Sequence, residues 1–336
     1  MNKYVLQVLV GQNNTAGQKA KKDIANILSN KGFETIDIRL RKSKIMKLLF
    51  SAHEVKKQFK RIDSDDVFVM QYPMYSRLTT RIISKVTKKR KINTICIIHD
   101  LESLRLFKND SRKVNEELRV LNDFDCLVSH NDVMTKWLKE NGVTTQIVSL
   151  NVFDYLSNTR LVNVKKNDSL VFAGNLQKSK FLEKWDIKKD IRLFGIGASE
   201  SYSKYVTYEG VKDPDELPKY LDGSFGLVWD GDSMITNDGI YGDYTRYNNP
   251  HKVSLYLSSG LPVIVWRESA ISKFIEENNL GIVVSSLYEL EKILNDMTDE
   301  EYVEMKNEVK NISLKLRHGC FTSEAIGKAF KLLNID

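Results

Sequence analysis

The chain has 336 residues, 42% apolar and 28% charged, with 5 prolines and 17 glycines. That is a soluble composition with room for two ordinary domains and no long disordered linker. A formal charge of +7 (51 Lys and Arg against 44 Asp and Glu) favours anionic partners but does not choose among nucleic acid, a membrane surface and phosphorylated ligands.

The opening MNKYVLQVLVGQ has a short apolar run broken by Gln7. It has no cleavage pattern, is too short to span a bilayer, and reads as a strand. Strands are predicted at Tyr4–Val10, Thr35–Ile38, Val67–Met70, Thr94–Ile98, Cys126–Val128 and Thr145–Ser149. A second series follows at Leu170–Ala173, Ile191–Phe194, Val206–Tyr208, Phe225–Trp229, Pro262–Val265 and Gly281–Val284. Amphipathic stretches lie between them, among them Pro214–Leu221 and Ser269–Asn278. Strand–helix alternation with continuous apolar strands predicts parallel sheets covered on both faces. The series restarts after the polar stretch Asn158–Asp168, so two Rossmann-like domains are expected, 1–156 and 157–336. The last helical stretch, Thr322–Leu333, is expected to pack back on the first domain. Cys96, Cys126 and Cys320 are scattered without metal-ligand spacing and read as reduced packing residues of a cytoplasmic protein.

YNNPHKVSLYLSSGLPVIV (Tyr247–Val265) carries the densest local signal. Asn249 suits an N-cap, Pro250 a first helical position and Gly260 a C-cap, so a short helix is predicted to feed a buried strand. Lys252 falls in its first turn, where the helix dipole repels a cation, and no nearby Asp or Glu offsets it. Either a phosphate docks on that helix end or Lys252 is a surface residue.

His99-Asp100 follows the strand TICII, at the strand end that faces the ligand crevice in open α/β sheets. Asp100 is the candidate base for an attacking hydroxyl, with His99 second; a helix-capping carboxylate is the other reading. Glu102 and Arg105 would position an acceptor, and Tyr72 and Tyr75 in QYPMY would line the same crevice, unless they only pack the loop. Asp230-Gly231-Asp232 has the form of a metal-binding DxD triplet, but aspartates around glycine are also ordinary turn chemistry, which is the reading preferred. Gly195-Ile196-Gly197 lacks the third glycine of a dinucleotide loop. The basic runs RLRKSKIMKLLF (Arg39–Phe50) and KKRK (Lys88–Lys91) would touch an anionic membrane or be solvated helix faces. No nucleic-acid-binding module surrounds them, so no nucleic-acid partner is expected.

Taken together, GQNNTAG (Gly11–Gly17), HDLESLR (His99–Arg105), VFAGNLQKSKF (Val171–Phe181), PDELP (Pro214–Pro218), FGLVWDG (Phe225–Gly231) and the stretch Tyr247–Val284 resemble GT-B glycosyltransferases. More narrowly, the chain resembles the bacterial galactofuranosyltransferases of surface polysaccharides and the glucosyltransferases that extend GlcNAc on serine-rich-repeat adhesins. The resemblance implies a GT-B fold with a ligand cleft between the domains. It implies a UDP-sugar donor, a glycan or glycoprotein acceptor, inversion, no metal cofactor and a homo-oligomer. A location in the cytoplasm follows, with the basic stretch as a candidate contact to the inner face of the membrane. It places nucleotide-sugar contacts on Thr15, on the Gly174-Asn175 turn with Lys178 after it, near Lys212, and on Tyr247, Asn248, Asn249, His251 and Lys252. Many GT-B enzymes hold the ribose with a glutamate where this chain has Leu255, which moves that role to backbone groups or Asn248. Glu268 and Glu276 imitate the paired glutamates of retaining enzymes but lie after the helix, and read as coincidence. The alternative is a catalytically idle GT-B subunit that binds UDP-sugar and partners an active transferase.

Overall fold

A computed structural model describes residues 1–9, 16–39, 44–74, 76–162 and 164–335. The chain divides into two compact units, Met1–Leu150 with Phe321–Asp336, and Asn151–Cys320.

The first unit alternates strand and helix throughout. Its elements are β1 (Lys3–Leu9), α1 (Ala16–Ser29), β2 (Glu34–Arg39), α2 (Lys44–Phe59), β3 (Val67–Tyr72), α3 (Arg77–Arg90) and β4 (Asn93–Ile98). Then come α4 (Ser111–Leu121), β5 (Cys126–Ser129), α5 (Asp132–Glu140) and β6 (Gln146–Ser149). The sheet is parallel, in the order β2-β1-β3-β4-β5-β6. Its central strands are buried along nearly their whole length, as strands covered on both faces are, which is why their sequences run apolar instead of alternating.

The second unit contains β7 (Leu170–Ala173), β8 (Ile191–Phe194), β9 (Val206–Tyr208), β10 (Phe225–Val228), α6 (Gly239–Tyr244), α7 (His251–Ser259) and β11 (Val263–Trp266). These are followed by α8 (Ser272–Glu277), β12 (Gly281–Val284), α9 (Leu290–Asp296) and α10 (Asp299–Arg317). Its strands are also parallel, in the order β12-β11-β10-β7-β8-β9. The chain winds outward from β7 to β9, then restarts on the other side of β7 with β10. The topological switch point is therefore between β7 and β10, where doubly wound sheets take their ligands. The core there includes Phe172, Phe181, Trp185, Phe225, Trp229 and Trp266, each buried.

The final helix, α11 (Cys320–Leu332), buries Ala325, Ile326 and Ala329. Phe330 meets Phe33 of the first unit with ring centroids 6.2 Å apart, and Lys3 lies 5.3 Å above the same ring.

Two helical expectations change. Pro214–Leu221 is not an α-helix; a turn over 214–216 leads into a 3₁₀ segment, Leu217–Tyr220, and Pro218 inside it has no N–H to continue an α-helical ladder. The stretch Ser269–Asn278 shortens to α8. Among the described residues no helix is long and apolar enough to cross a membrane.

Candidate functional site

In the second unit, the paired strands β7 and β10 lead into Gly174-Asn175 and Trp229-Asp230 at the switch point. Lys252, from the first turn of α7, reaches in between them. Its Nζ lies 2.8 Å from Asp230 Oδ1 and 3.1 Å from the Trp229 carbonyl, and 4.5 Å above the Phe172 ring. A Cβ at position 174 would stand 2.9 Å from Lys252 Cε, so glycine there opens the lysine's channel.

The Gly174-Asn175 turn is braced from both sides. Asn175 caps the following 3₁₀ turn by accepting from the Gln177 amide at 3.0 Å. The Gly195-Ile196-Gly197 loop runs alongside, with Leu176 N donating to Ile196 O at 2.9 Å. A Cβ at Gly195 would fall 1.7 Å from the Gly174 carbonyl, so this glycine serves close backbone approach and not a dinucleotide. The Asp230-Gly231-Asp232 turn docks on the same segment, Gly231 N donating to Lys178 O at 2.9 Å. Asp238 holds that turn by accepting from Asp232 N and Ser233 N, and Asp230 serves Lys252. The triplet is thus a turn, and among the described residues no group of three or more His, Cys, Asp or Glu is gathered to hold a metal. Lys178 projects over Tyr241 at 3.6 Å beside a cavity of about 240 Å³.

Leading into α7, Pro250 takes the cap position and the helix starts at His251. Asn249 is therefore not the cap that its residue type suggested: it is buried and its Nδ2 donates to Asn151 O at 2.6 Å. His251 stacks on Phe153 with centroids 4.6 Å apart. Asn248 Oδ1 is buried with no hydrogen-bond partner, an open acceptor in this loop. Lys212 lies elsewhere, over the Tyr220 ring at 4.6 Å; its loop touches the turn through Gly210 O, which accepts from Gly195 N. Leu255 is buried on α7.

In the first unit a separate polar cluster gathers at the carboxyl ends of β3 and β4. Gln71 donates through Nε2 to Leu6 O and Lys21 O, so its Oε1 is the acceptor and His99 Nε2, 2.9 Å away, is the donor. Arg105 joins two carboxylates, Glu102 at 2.5 Å and Asp100 at 3.3 Å. Lys21 donates to Pro73 O; burial pulls its ammonium down to about 8, against the opposing pull of Asp100. Tyr72 donates to Glu117 at 2.7 Å, and Glu117 also accepts from the backbone of Glu102 and Ser103. Burial, then Glu117, push the Tyr72 hydroxyl upward. Tyr72, Arg77, Glu102, Phe107 and Glu117 line a cavity of about 270 Å³ here. Thr15 and Tyr75 lie outside the described residues.

Two family models match, the glucosyltransferase 3-like N-terminal domain over residues 2–152 and the C-terminal domain over 170–329. The chain is 31% identical to β-1,6-galactofuranosyltransferase WbbI of Escherichia coli (strain K12), over 96% of this chain and 97% of that one. The chain belongs to the glucosyltransferase 3-like family of GT-B glycosyltransferases. It is also 28% identical to glucosyltransferase 3 of Streptococcus gordonii over 78% of each chain. A solved structure of an Escherichia coli trehalose-6-phosphate protein bound with UDP-2-fluoro glucose shares the fold, at TM-score 0.60 and 10% identity, with 98% of both chains covered.

For this glucosyltransferase 3-like chain, the structure brings Lys252 against Gly174, with Asn175 next in the same turn and the Lys178 backbone bonded to the Asp230-Gly231-Asp232 turn; Asn248 and Asn249 lie on the loop before α7 and His251 is its first residue. Lys212 engages Tyr220 instead. Sequence reasoning missed Asp230 as the lysine's partner, because 22 residues separate them, and it missed Lys21, which sits in QKAKKD like any solvated helix cation. Glu268 and Glu276 pair with Arg246 and Arg267 on the surface, ordinary exposed ion pairs. Of KKRK, Lys88 pairs with Asp123 and Arg90 donates to the Ile62 carbonyl. The side chains of the other basic run, from Arg39 to Phe50, lie outside those described.

Proposed function

We propose that the protein transfers a hexosyl unit, galactofuranose or glucose, from a UDP-sugar to a hydroxyl of a glycan or GlcNAc-bearing glycoprotein, with inversion. The observation that carries this is Lys252 at the β7/β10 switch point, between Gly174 and Asp230. An ammonium and a helix N-terminus at one place match a diphosphate leaving group, and Lys178, whose backbone carbonyl accepts from Gly231 beside Asp230, supplies a second charge from the neighbouring turn. The Asn248 acceptor supports a ribose hydroxyl in place of the missing glutamate. In the step itself, the acceptor oxygen bonds to the anomeric carbon and the bond from that carbon to the diphosphate oxygen breaks. The electron pair leaves with UDP and the hydroxyl proton passes to Asp100. The names of the two relatives favour galactofuranose and glucose as the first donors to test.

The test incubates the protein with a panel of UDP-sugars and acceptors and measures free UDP and product by mass spectrometry, with and without EDTA. One donor should release UDP, unaffected by chelation. Asp100→Asn should cut that turnover by about 10²–10⁴-fold and leave UDP affinity unchanged. Binding without turnover of any donor would favour the idle-subunit reading, and no binding of any UDP-sugar would refute both.

A further inference from the structure

The segment Asn151–Val162 runs along α7 from one end to the other. At the N-terminal end, Asn151 O accepts from Asn249 and Phe153 stacks on His251. Midway, Tyr155 donates through its hydroxyl to Pro214 O at 2.7 Å, on the loop after Lys212, and through its amide to Leu316 O of α10. At the C-terminal end, Val162 N donates to Ser259 O at 2.8 Å.

Two cations from α10 close that last contact. Lys306 Nζ donates to Val162 O at 2.8 Å and Gly260 O at 2.6 Å. Arg317 donates from Nε to Ser258 O at 2.6 Å and from Nη1 to Thr159 O at 2.5 Å. Helix α7 has no acid in its first turn and no base in its last. Its C-terminal carbonyls, which favour positive charge, receive it from α10 instead.

We propose that this strap and its two clamping cations are positioning elements: they set how far α7 extends toward the switch point, and so where Lys252 and His251 meet the donor's diphosphate. The proposal rests on the donor reading above. Neither Lys306 nor Arg317 touches the switch point; both act through α7.

The test uses the full chain carrying Lys306→Met, Lys306→Arg or Arg317→Lys. UDP and uridine are titrated by calorimetry, and amide hydrogen exchange is followed over α7. Lys306→Met should weaken UDP by about tenfold, in the range of ordinary coupling between sites, with uridine affinity and stoichiometry unchanged. Lys306→Arg should restore most of it. Wild-type UDP affinity at full stoichiometry in Lys306→Met, or equal weakening of UDP and uridine, overturns the proposal. If Lys306→Met does not fold, Arg317→Lys, which keeps the charge but not both hydrogen bonds, must show the same split. If the wild type binds no UDP, the donor reading fails by itself. The strap is then judged by exchange in the first turn of α7: faster in the variant supports it, unchanged overturns it.

Discussion

Lys252 was legible in the sequence as an oddity, a cation where the helix dipole opposes one, because Pro250 and Gly260 bracket its helix. Its partner was not legible. Asp230 reads as turn chemistry, and only the sheet order brings the end of β10 beside α7. The pair changes what a substitution should do. With both side chains mostly buried, at 15% and 19% exposure, Lys252→Ala leaves a carboxylate without its charge partner. The free protein should lose ~1–3 kcal/mol, the cost of an unsatisfied buried group, read by chemical denaturation. UDP should bind about 10–100-fold more weakly, the loss of one or two tenfold steps of a charge-assisted hydrogen bond, and uridine should bind as before. A variant as stable as wild type that still binds UDP normally would place the phosphate elsewhere.

Strands were the elements most open to sequence reading, since short apolar runs that alternate with helical stretches suit the strands of a covered parallel sheet, the largely exposed β9 being an exception. Gly226 shows what that pattern hides. A Cβ on it would lie 2.2 Å from the Tyr256 ring, so FGLV needs its glycine to seat α7 on the sheet, and Tyr256 then accepts a hydrogen bond from Ala173 N. Helix α10 was hidden in another way: Lys306 and Arg317 look like solvated charges in a polar helix until the strap is in place. Burial lowers the Lys306 ammonium from 10.5 to about 8. Below about 8 it is protonated in both folded and unfolded chains. Between there and 10.5 the unfolded chain binds more protons, so stability rises with pH across that window. Lys21 is shifted the same way, so the comparison must be with Lys306→Met. Melting temperatures from pH 7.5 to 10 should climb less in the variant than in wild type; parallel curves would mean that Lys306 is not desolvated.

At the scale of the whole chain, two doubly wound units follow from two series of apolar runs separated by a polar stretch. The strand order did not follow, because sequence spacing says nothing of which side of β7 receives β10. The placement of α11 was an expectation from position alone, and its Phe330 groups with Phe33 and Lys3 of the first unit. A fragment 1–150 should therefore melt lower, or aggregate more, than the same fragment joined by a flexible linker to residues 321–335; equal melting would show that α11 adds nothing. The same feature orders events during synthesis. A ribosome makes the first unit first, but the helix that covers Phe33 emerges only after residues 151–320. The second unit has all its strands before the first has its last helix. The half of the chain begun first is finished last, and until then it waits with an apolar face uncovered, the period in which nascent chains are most open to chaperones and to aggregation.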